Sequence, residues 1–191
     1  MDPEKFEFTN VDLVLLDRDG VINEDSAAYI KSPDEWHAIE GSIEAIVILQ
    51  NYVRVGVCTN QSGVGRGLFN EQTLAAIHDK LNKAIQDAGG TPIDIFYCPH
   101  PPGAGCPCRK PKPELLITAM RAYNAYPQNT LYAGDSEKDL NAADNAGCID
   151  ALILTGNGAQ TASTPRGKRA SITCKNLGAL AQRISDAKAP E

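Results

Sequence analysis

Short apolar runs alternate with longer amphipathic stretches along this chain. Between Val11 and Leu16, five apolar residues interrupted only by Asp12 run straight into Asp17, Asp19 and Gly20. Such a run predicts a strand buried on both faces, as in a parallel sheet covered by helices. Val53–Cys58, Ile93–Cys98, Thr130–Ala133 and Asp150–Leu154 predict four more strands, and Ser171–Cys174 a short edge strand. A helix opened by Gly41-Ser42 is expected to run to about Asn51, with Ile43, Ile46, Val47 and Leu49 toward the core. Asn70 caps the clearest helix, in which Leu74, Ile77, Leu81 and Ile85 recur at helical spacing before Gly89-Gly90 ends it. Further helices are expected at about Pro113–Tyr126, from a Ser136–Asp139 capping box up to Gly147, and over Asn176–Ala187. Strands alternating with helices predict an α/β fold, a Rossmann-like parallel sheet with helices on both faces. No repeat or internal boundary is visible, so residues 1–191 are expected to form a single domain.

Two stretches depart from this alternation. Asp17 to Glu40 is a long polar connection, of a length that in compact domains usually serves a site or a partner. Thr155–Arg169, rich in Gly, Ser and Thr, is expected to be a flexible surface loop.

Composition narrows the setting. A net charge of −6 argues against nucleic acid or an anionic membrane as partner, so an anionic ligand would need local basic groups. The start, Met1-Asp2-Pro3-Glu4, is acidic and lacks an apolar leader, and no apolar run approaches the ~20 residues of a spanning helix. A cytoplasmic location is expected, where six cysteines are thiols or metal ligands before disulfides.

Candidate chemistry collects at strand ends, where open α/β sheets bind ligands. Asp17 and Asp19 follow the first strand, Thr59 and Asn60 the second, and Asp135 the fourth, while Lys110 comes from the loop after the third. Extended alternation predicts Asp17 and Asp19 on one side and Arg18 on the other. Two like charges so close call for a cation, a proton or a catalytic role. In the loop at about 98–110, Cys98-x-His100 and Cys106-x-Cys108 put three thiols and an imidazole within eleven residues, the pattern of a closed structural zinc site. That loop runs directly into Arg109-Lys110. Cys58, Cys148 and Cys174 read as packing residues, and His37 and His78 as surface or packing histidines.

The ordered set Asp17-Arg18-Asp19-Gly20, Thr59, Lys110 and Gly134-Asp135-Ser136-Glu137-Lys138-Asp139 resembles the phosphatases of the haloacid dehalogenase superfamily. The resemblance implies that Asp17 is a nucleophile forming an aspartyl-phosphate, and that Asp19 is the acid and base. It implies magnesium held by the carboxylates of Asp17 and Asp135 and the carbonyl of Asp19, with Thr59 and Lys110 stabilising the transferring phosphoryl group. Asp139 then partners Lys110 or caps its helix. The zinc loop, in a core with no room for a cap domain, is similar to two families, the heptose bisphosphate phosphatases of lipopolysaccharide core biosynthesis and the histidinol-phosphate phosphatases. Thr59-Asn60-Gln61-Ser62-Gly63-Val64-Gly65-Arg66-Gly67 is similar to the TNQSGxxRG of the former, as are Asp17–Asn23 and Cys108–Pro111. The resemblance therefore implies removal of the C7 phosphate of D-glycero-D-manno-heptose 1,7-bisphosphate by a monomer. Histidinol phosphate is the alternative substrate, and a non-catalytic phospho-ligand binder the third reading. Substrate-binding residues carried over are Asp25 and Tyr29 on the Glu24–Tyr29 rim, Asn60, Gln61, Ser62, Arg66, Arg109, and Ser136, where some heptose enzymes have Lys.

Overall fold

Leu13 and Leu15 point to one face of the sheet and Val14 and Leu16 to the other, and all four are fully buried in this computed structural model, which describes residues 6–189. The acidic start, Met1-Asp2-Pro3-Glu4, lies outside the described residues. Such two-sided burial requires cover on both faces, and the helices supply it. Six parallel strands, β1 (Leu13–Leu16), β2 (Arg54–Asn60), β3 (Asp94–Cys98), β4 (Thr130–Gly134), β5 (Ile149–Ile153) and β6 (Ile172–Cys174), form one sheet in the order β3-β2-β1-β4-β5-β6. The helices are α1 (Ser42–Gln50), a short α2 (Ser62–Gly65), α3 (Glu71–Asp87), α4 (Glu114–Ala122), α5 (Glu137–Ala146), a short α6 (Gly158–Thr161) and α7 (Leu177–Lys188).

One face packs Val14, Leu16, Val55 and Val57 against Ile46 and Leu49 of α1, Ile77 and Leu81 of α3, and Leu180 and Ile184 of α7. The opposite face packs Leu13, Leu15 and Cys58 against Leu116 and Met120 of α4 and Ala142 and Ala143 of α5. Burying each large aliphatic side chain contributes about 1.5–3 kcal/mol. The strand order switches sides at β1, which has β2 on one side and β4 on the other, so a crevice opens beyond its carboxyl end.

Four details differ from the sequence expectation. β2 continues past Cys58, pairing Thr59 with Tyr97 and Asn60 with Cys98. α4 stops at Ala122 rather than Tyr126, because Asn124 turns left-handed at φ +49° and the Ala125 N–H returns to the Met120 carbonyl. The Thr155–Arg169 stretch is folded rather than an open loop. It contains α6, its Thr161 is buried, and Arg166 bonds the Leu140 carbonyl at 2.9 Å and the Asp150 carboxylate at 3.1 Å. Its polar residues satisfy one another inside the fold, which composition does not reveal. The connection after Asp17, finally, is less polar in its packing than in its sequence, since Val21, Ile22, Ile30 and Trp36 are all buried. No helix among the described residues is long and apolar enough to cross a membrane.

Candidate active site

β1 ends at Leu16, and the next residue enters the crevice. Asp17 Oδ1 accepts from the Arg18 N–H at 2.8 Å and pairs with Lys110 Nζ at 2.9 Å. Gly20, at φ +82°, lets the chain turn here. A Cβ on Gly20 or on Gly156 would fall 2.2–2.3 Å from Asp135 Oδ2, so only glycine allows these two loops to close over that carboxylate. Asp17 and Asp19 line the same cavity, but because the strand has already ended Arg18 does not take the opposite side as expected. Arg18, 1% exposed, does not point away but wraps onto Asp19, with Nη2 at 2.8 Å and 3.1 Å from its two oxygens. Asn23 and Gln61 donate to the same carboxylate at 2.9 Å and 2.8 Å.

Lys110, 3% exposed, sits at the centre of the site. Its ammonium meets Asp139 at 2.7 Å, Asp17 at 2.9 Å, the Tyr132 hydroxyl at 2.6 Å and the Cys58 carbonyl at 3.1 Å. Asn60 fixes its backbone from both sides, accepting from Lys110 N–H at 3.1 Å and donating to the Lys110 carbonyl at 3.3 Å. Asp139 Oδ2 accepts from the Ser136 N–H and hydroxyl at 3.1 Å and 2.6 Å, so it closes the α5 cap and partners Lys110 at once. Asp135 is held from the Thr155–Arg169 segment: Asn157 donates to its Oδ2 through backbone and side chain at 2.7 Å and 3.1 Å.

Oxygens of Asp17, Asp135 and Asp139 lie within 4.8 Å of one another, with one ammonium among them. Burial works against the Lys110 charge, but Asp139 and Asp17 outweigh it and hold its pKa above the ordinary value. Burial also opposes the Asp139 charge, yet Lys110 and Ser136 keep that carboxyl below its usual range. Burial lifts Asp17 to about 8 against the pull of Lys110, with Asp139 and Asp135 adding to the rise. Burial likewise raises Asp135 to about 6 against its Asn157 bonds. A hard divalent cation suits this all-oxygen, charge-deficient set.

The second cluster stands at the carboxyl end of β3. Sulfur and Nδ1 atoms of Cys98, His100, Cys106 and Cys108 all lie within 4.8 Å of one another. A tetrahedral ion with zinc–ligand lengths implies S···S of about 3.8 Å and S···N of about 3.5 Å. The structure has S···S of 3.2 Å and 3.7 Å and S···N of 3.3 Å and 3.6 Å, so a metal of that size fits with small adjustments. Arg109 Nη1 donates to the His100 carbonyl at 3.2 Å, which ties the adjacent cation to this loop.

A cavity of about 200 Å³ brings together Asp17, Asp19, Asp25, Thr59, Asn60, Arg109, Lys110, Asp135 and Ser136 from the sequence-predicted set. Tyr29, Gln61, Ser62 and Arg66 do not line it. Gln61 is buried behind it, bonding Asp19 and Thr59; Ser62 is buried; Tyr29 is half-buried; and Arg66 is exposed. Sequence reasoning passed over Tyr132, Asn157 and Lys138. A tyrosine hydroxyl inside a buried strand always needs a partner, which was the available signal for Tyr132. Asn157 carried no signal, since it stands in an unremarkable polar run, whereas Lys138 is a cation in an otherwise acidic first helical turn inside the Gly134–Asp139 motif.

A HAD-hydrolase-like family model matches residues 107–180. A D-glycero-beta-D-manno-heptose-1,7-bisphosphate 7-phosphatase of Bordetella bronchiseptica is 47% identical over 176 residues, covering 90% of this chain and 97% of that protein. The chain belongs to the heptose-1,7-bisphosphate 7-phosphatase family. A Pseudomonas aeruginosa member is 46% identical over 154 residues, 80% of this chain and 86% of that one. The crystal structure of the Bordetella bronchiseptica D,D-heptose 1,7-bisphosphate phosphatase, complexed with magnesium and phosphate, superposes with a TM-score of 0.86 at 44% identity, over 92% of this chain and 99% of that one. The Burkholderia thailandensis enzyme gives a TM-score of 0.69 at 37% identity, over 91% and 97%. As a member of this family the chain has the haloacid dehalogenase fold and is a phosphomonoester hydrolase. These relatives lend no support to the histidinol-phosphate alternative.

Proposed function

We propose that this enzyme removes the C7 phosphate of D-glycero-D-manno-heptose 1,7-bisphosphate and leaves the C1 phosphate in place. The observation that carries the reading is the buried Asp17–Lys110–Asp139 network beside Asp19 at the carboxyl end of β1, in a chain 47% identical to a phosphatase of that name. Asp17 attacks phosphorus, and the P–O bond to C7 breaks as Asp19 delivers a proton to the departing oxygen. Asp19 then takes a proton from the water that cleaves the aspartyl-phosphate and restores Asp17. Lys110 and the Thr59 hydroxyl balance charge on the phosphoryl oxygens, and Arg18, Asn23 and Gln61 hold Asp19 in place. Asp17 and Asp135 supply carboxylates suited to magnesium, which when bound neutralises phosphate charge and orients the group for in-line attack. Zinc in the Cys98, His100, Cys106 and Cys108 cluster would fix the path of Arg109 and Lys110. The reading extends to a single domain over 1–191 acting as a cytoplasmic monomer, in keeping with a cluster that needs reduced thiols.

The test is parallel turnover of heptose 1,7-bisphosphate and histidinol phosphate. The first is expected to be favoured by at least about 10²-fold in kcat/KM, because a guanidinium such as Arg109 grips a second phosphate that histidinol phosphate lacks. Arg109→Ala should erase most of the difference. Better turnover of histidinol phosphate, or an unchanged ratio in the variant, would show the substrate assignment to be wrong.

Metal analysis tests the second cluster. Protein purified without chelator should hold about one zinc per chain, and Cys106→Ser should lose it and turn over more slowly. Protein that contains no zinc while all four residues are intact and reduced removes the structural-site reading.

A further inference from the structure

A second cavity, of about 500 Å³, opens beside the reaction cavity and shares Arg109, Lys110 and Lys138 with it. Its volume is that of an ordinary small-molecule site, which runs to roughly 300–1,000 Å³. Pro101, Pro102 and Ala104 give it an apolar wall, and Arg109, Lys112 and Lys138 a cationic rim. A sugar carrying a second phosphate presents those two surfaces in turn.

The three rim cations are not equally available. Arg109 donates to the His100 carbonyl at 3.2 Å. The Lys112 ammonium is committed to the carbonyls of Gly105 and Cys106 at 3.2 Å and 2.5 Å. Lys138 is exposed and makes no hydrogen bond or ion pair among the described residues. Its position is also unfavourable for a helix. It follows Glu137 in the first turn of α5, where the helix dipole favours acidic side chains and opposes a cation. A cation that breaks the local preference, lines both cavities and has no partner in the protein is placed to meet an anion from outside.

We propose that Lys138 is a specificity-determining residue, contacting the phosphate that stays on the sugar while the other reacts at Asp17. The inference rests on the bisphosphate reading above and adds to it a second cation, supplied by α5 rather than by the loop that carries the Cys/His cluster. Ser136, two residues earlier, does not fill this role, because its hydroxyl is turned to Asp139 at 2.6 Å.

The experiment compares native enzyme, Lys138→Gln and Lys138→Arg, each loaded with magnesium, on heptose 1,7-bisphosphate and on p-nitrophenyl phosphate. Lys138→Gln should raise KM for the bisphosphate about tenfold more than KM for p-nitrophenyl phosphate, with kcat for the bisphosphate within about twofold of native, since a lost charge-assisted contact outside the reacting centre is uniform binding. Lys138→Arg should restore most of the loss. Inhibition by heptose 1-phosphate, which carries only the remaining phosphate, should weaken about tenfold in Lys138→Gln, and the difference from native should shrink as salt is raised. Equal KM shifts on both substrates, or native-like inhibition of Lys138→Gln by heptose 1-phosphate, overturn the inference alone. A native enzyme that does not favour the bisphosphate over p-nitrophenyl phosphate overturns the substrate reading, and the inference with it.

Discussion

Asp17→Asn is expected to lower kcat by at least about 10⁴-fold on any phosphate monoester, in a protein that still folds, because the reaction as read here passes through a bond to that carboxylate. The substitution keeps the shape of the side chain. Its amide oxygen can still accept from the Arg18 N–H, as Asp17 Oδ1 does at 2.8 Å. Lys110 keeps Asp139 at 2.7 Å, so no buried cation is stranded. Removing one of three close carboxylates also relieves the repulsion from Asp139 and Asp135 that adds to the burial-driven rise of the Asp17 pKa. The melting temperature should therefore hold or rise while activity disappears. Single-turnover quenching should trap phosphate on the native protein and none on the variant. Residual activity above about one per cent of native, with deamidation excluded by mass, would falsify the nucleophile assignment.

What the amino-acid pattern reveals and what it hides follow from the physics of each element. β1 and β4 are buried on both faces, so β1 is apolar throughout and β4 nearly so, apart from Thr130 and the Tyr132 hydroxyl, and the first carboxylate marks the end of each. Ser136 and Asp139 stand three residues apart because a helix cap requires it, and that spacing was legible. The Cys98–Cys108 cluster was legible for a similar reason: its four ligand groups come from one short loop. Contacts between distant segments were not. Asn157 reaches Asp135, and the Tyr132 hydroxyl meets Lys110, each across 22 positions. Arg18 was misplaced because strand alternation was carried two residues beyond Leu16, where β1 ends. Gln61, Ser62 and Arg66 came with the family motif, and Tyr29 with the Glu24–Tyr29 rim, as neighbours of the ligand. Gln61 instead stands behind the cavity, where it holds Asp19 and Thr59.

Lys110→Met should cost both activity and stability, and the stability loss is the more diagnostic. The ammonium is 3% exposed and faces four acceptors within 3.1 Å: the carboxylates of Asp17 and Asp139, the Tyr132 hydroxyl and the Cys58 carbonyl. Methionine fills the volume but supplies no donor. Asp139, 1% exposed, would keep its Ser136 bonds and lose the Lys110 cation, and removing one partner of a buried ion pair typically costs about 3–5 kcal/mol. For a chain of this length that corresponds to a fall in Tm of roughly 10 °C. Neutralising the stranded carboxylate should recover part of the loss, so Lys110→Met with Asp139→Asn is expected to melt above Lys110→Met alone. Activity should not follow. The double variant still lacks the charge proposed to face the phosphoryl group, and its kcat should stay at least about 10³-fold below native. Stability that recovers while catalysis does not separates the two duties of Lys110, balancing buried carboxylates and stabilising the transferring group. If Lys110→Met melts at the native temperature, the network does not hold the site together as described here. If the double variant regains turnover as well as stability, Lys110 serves only to position its neighbours.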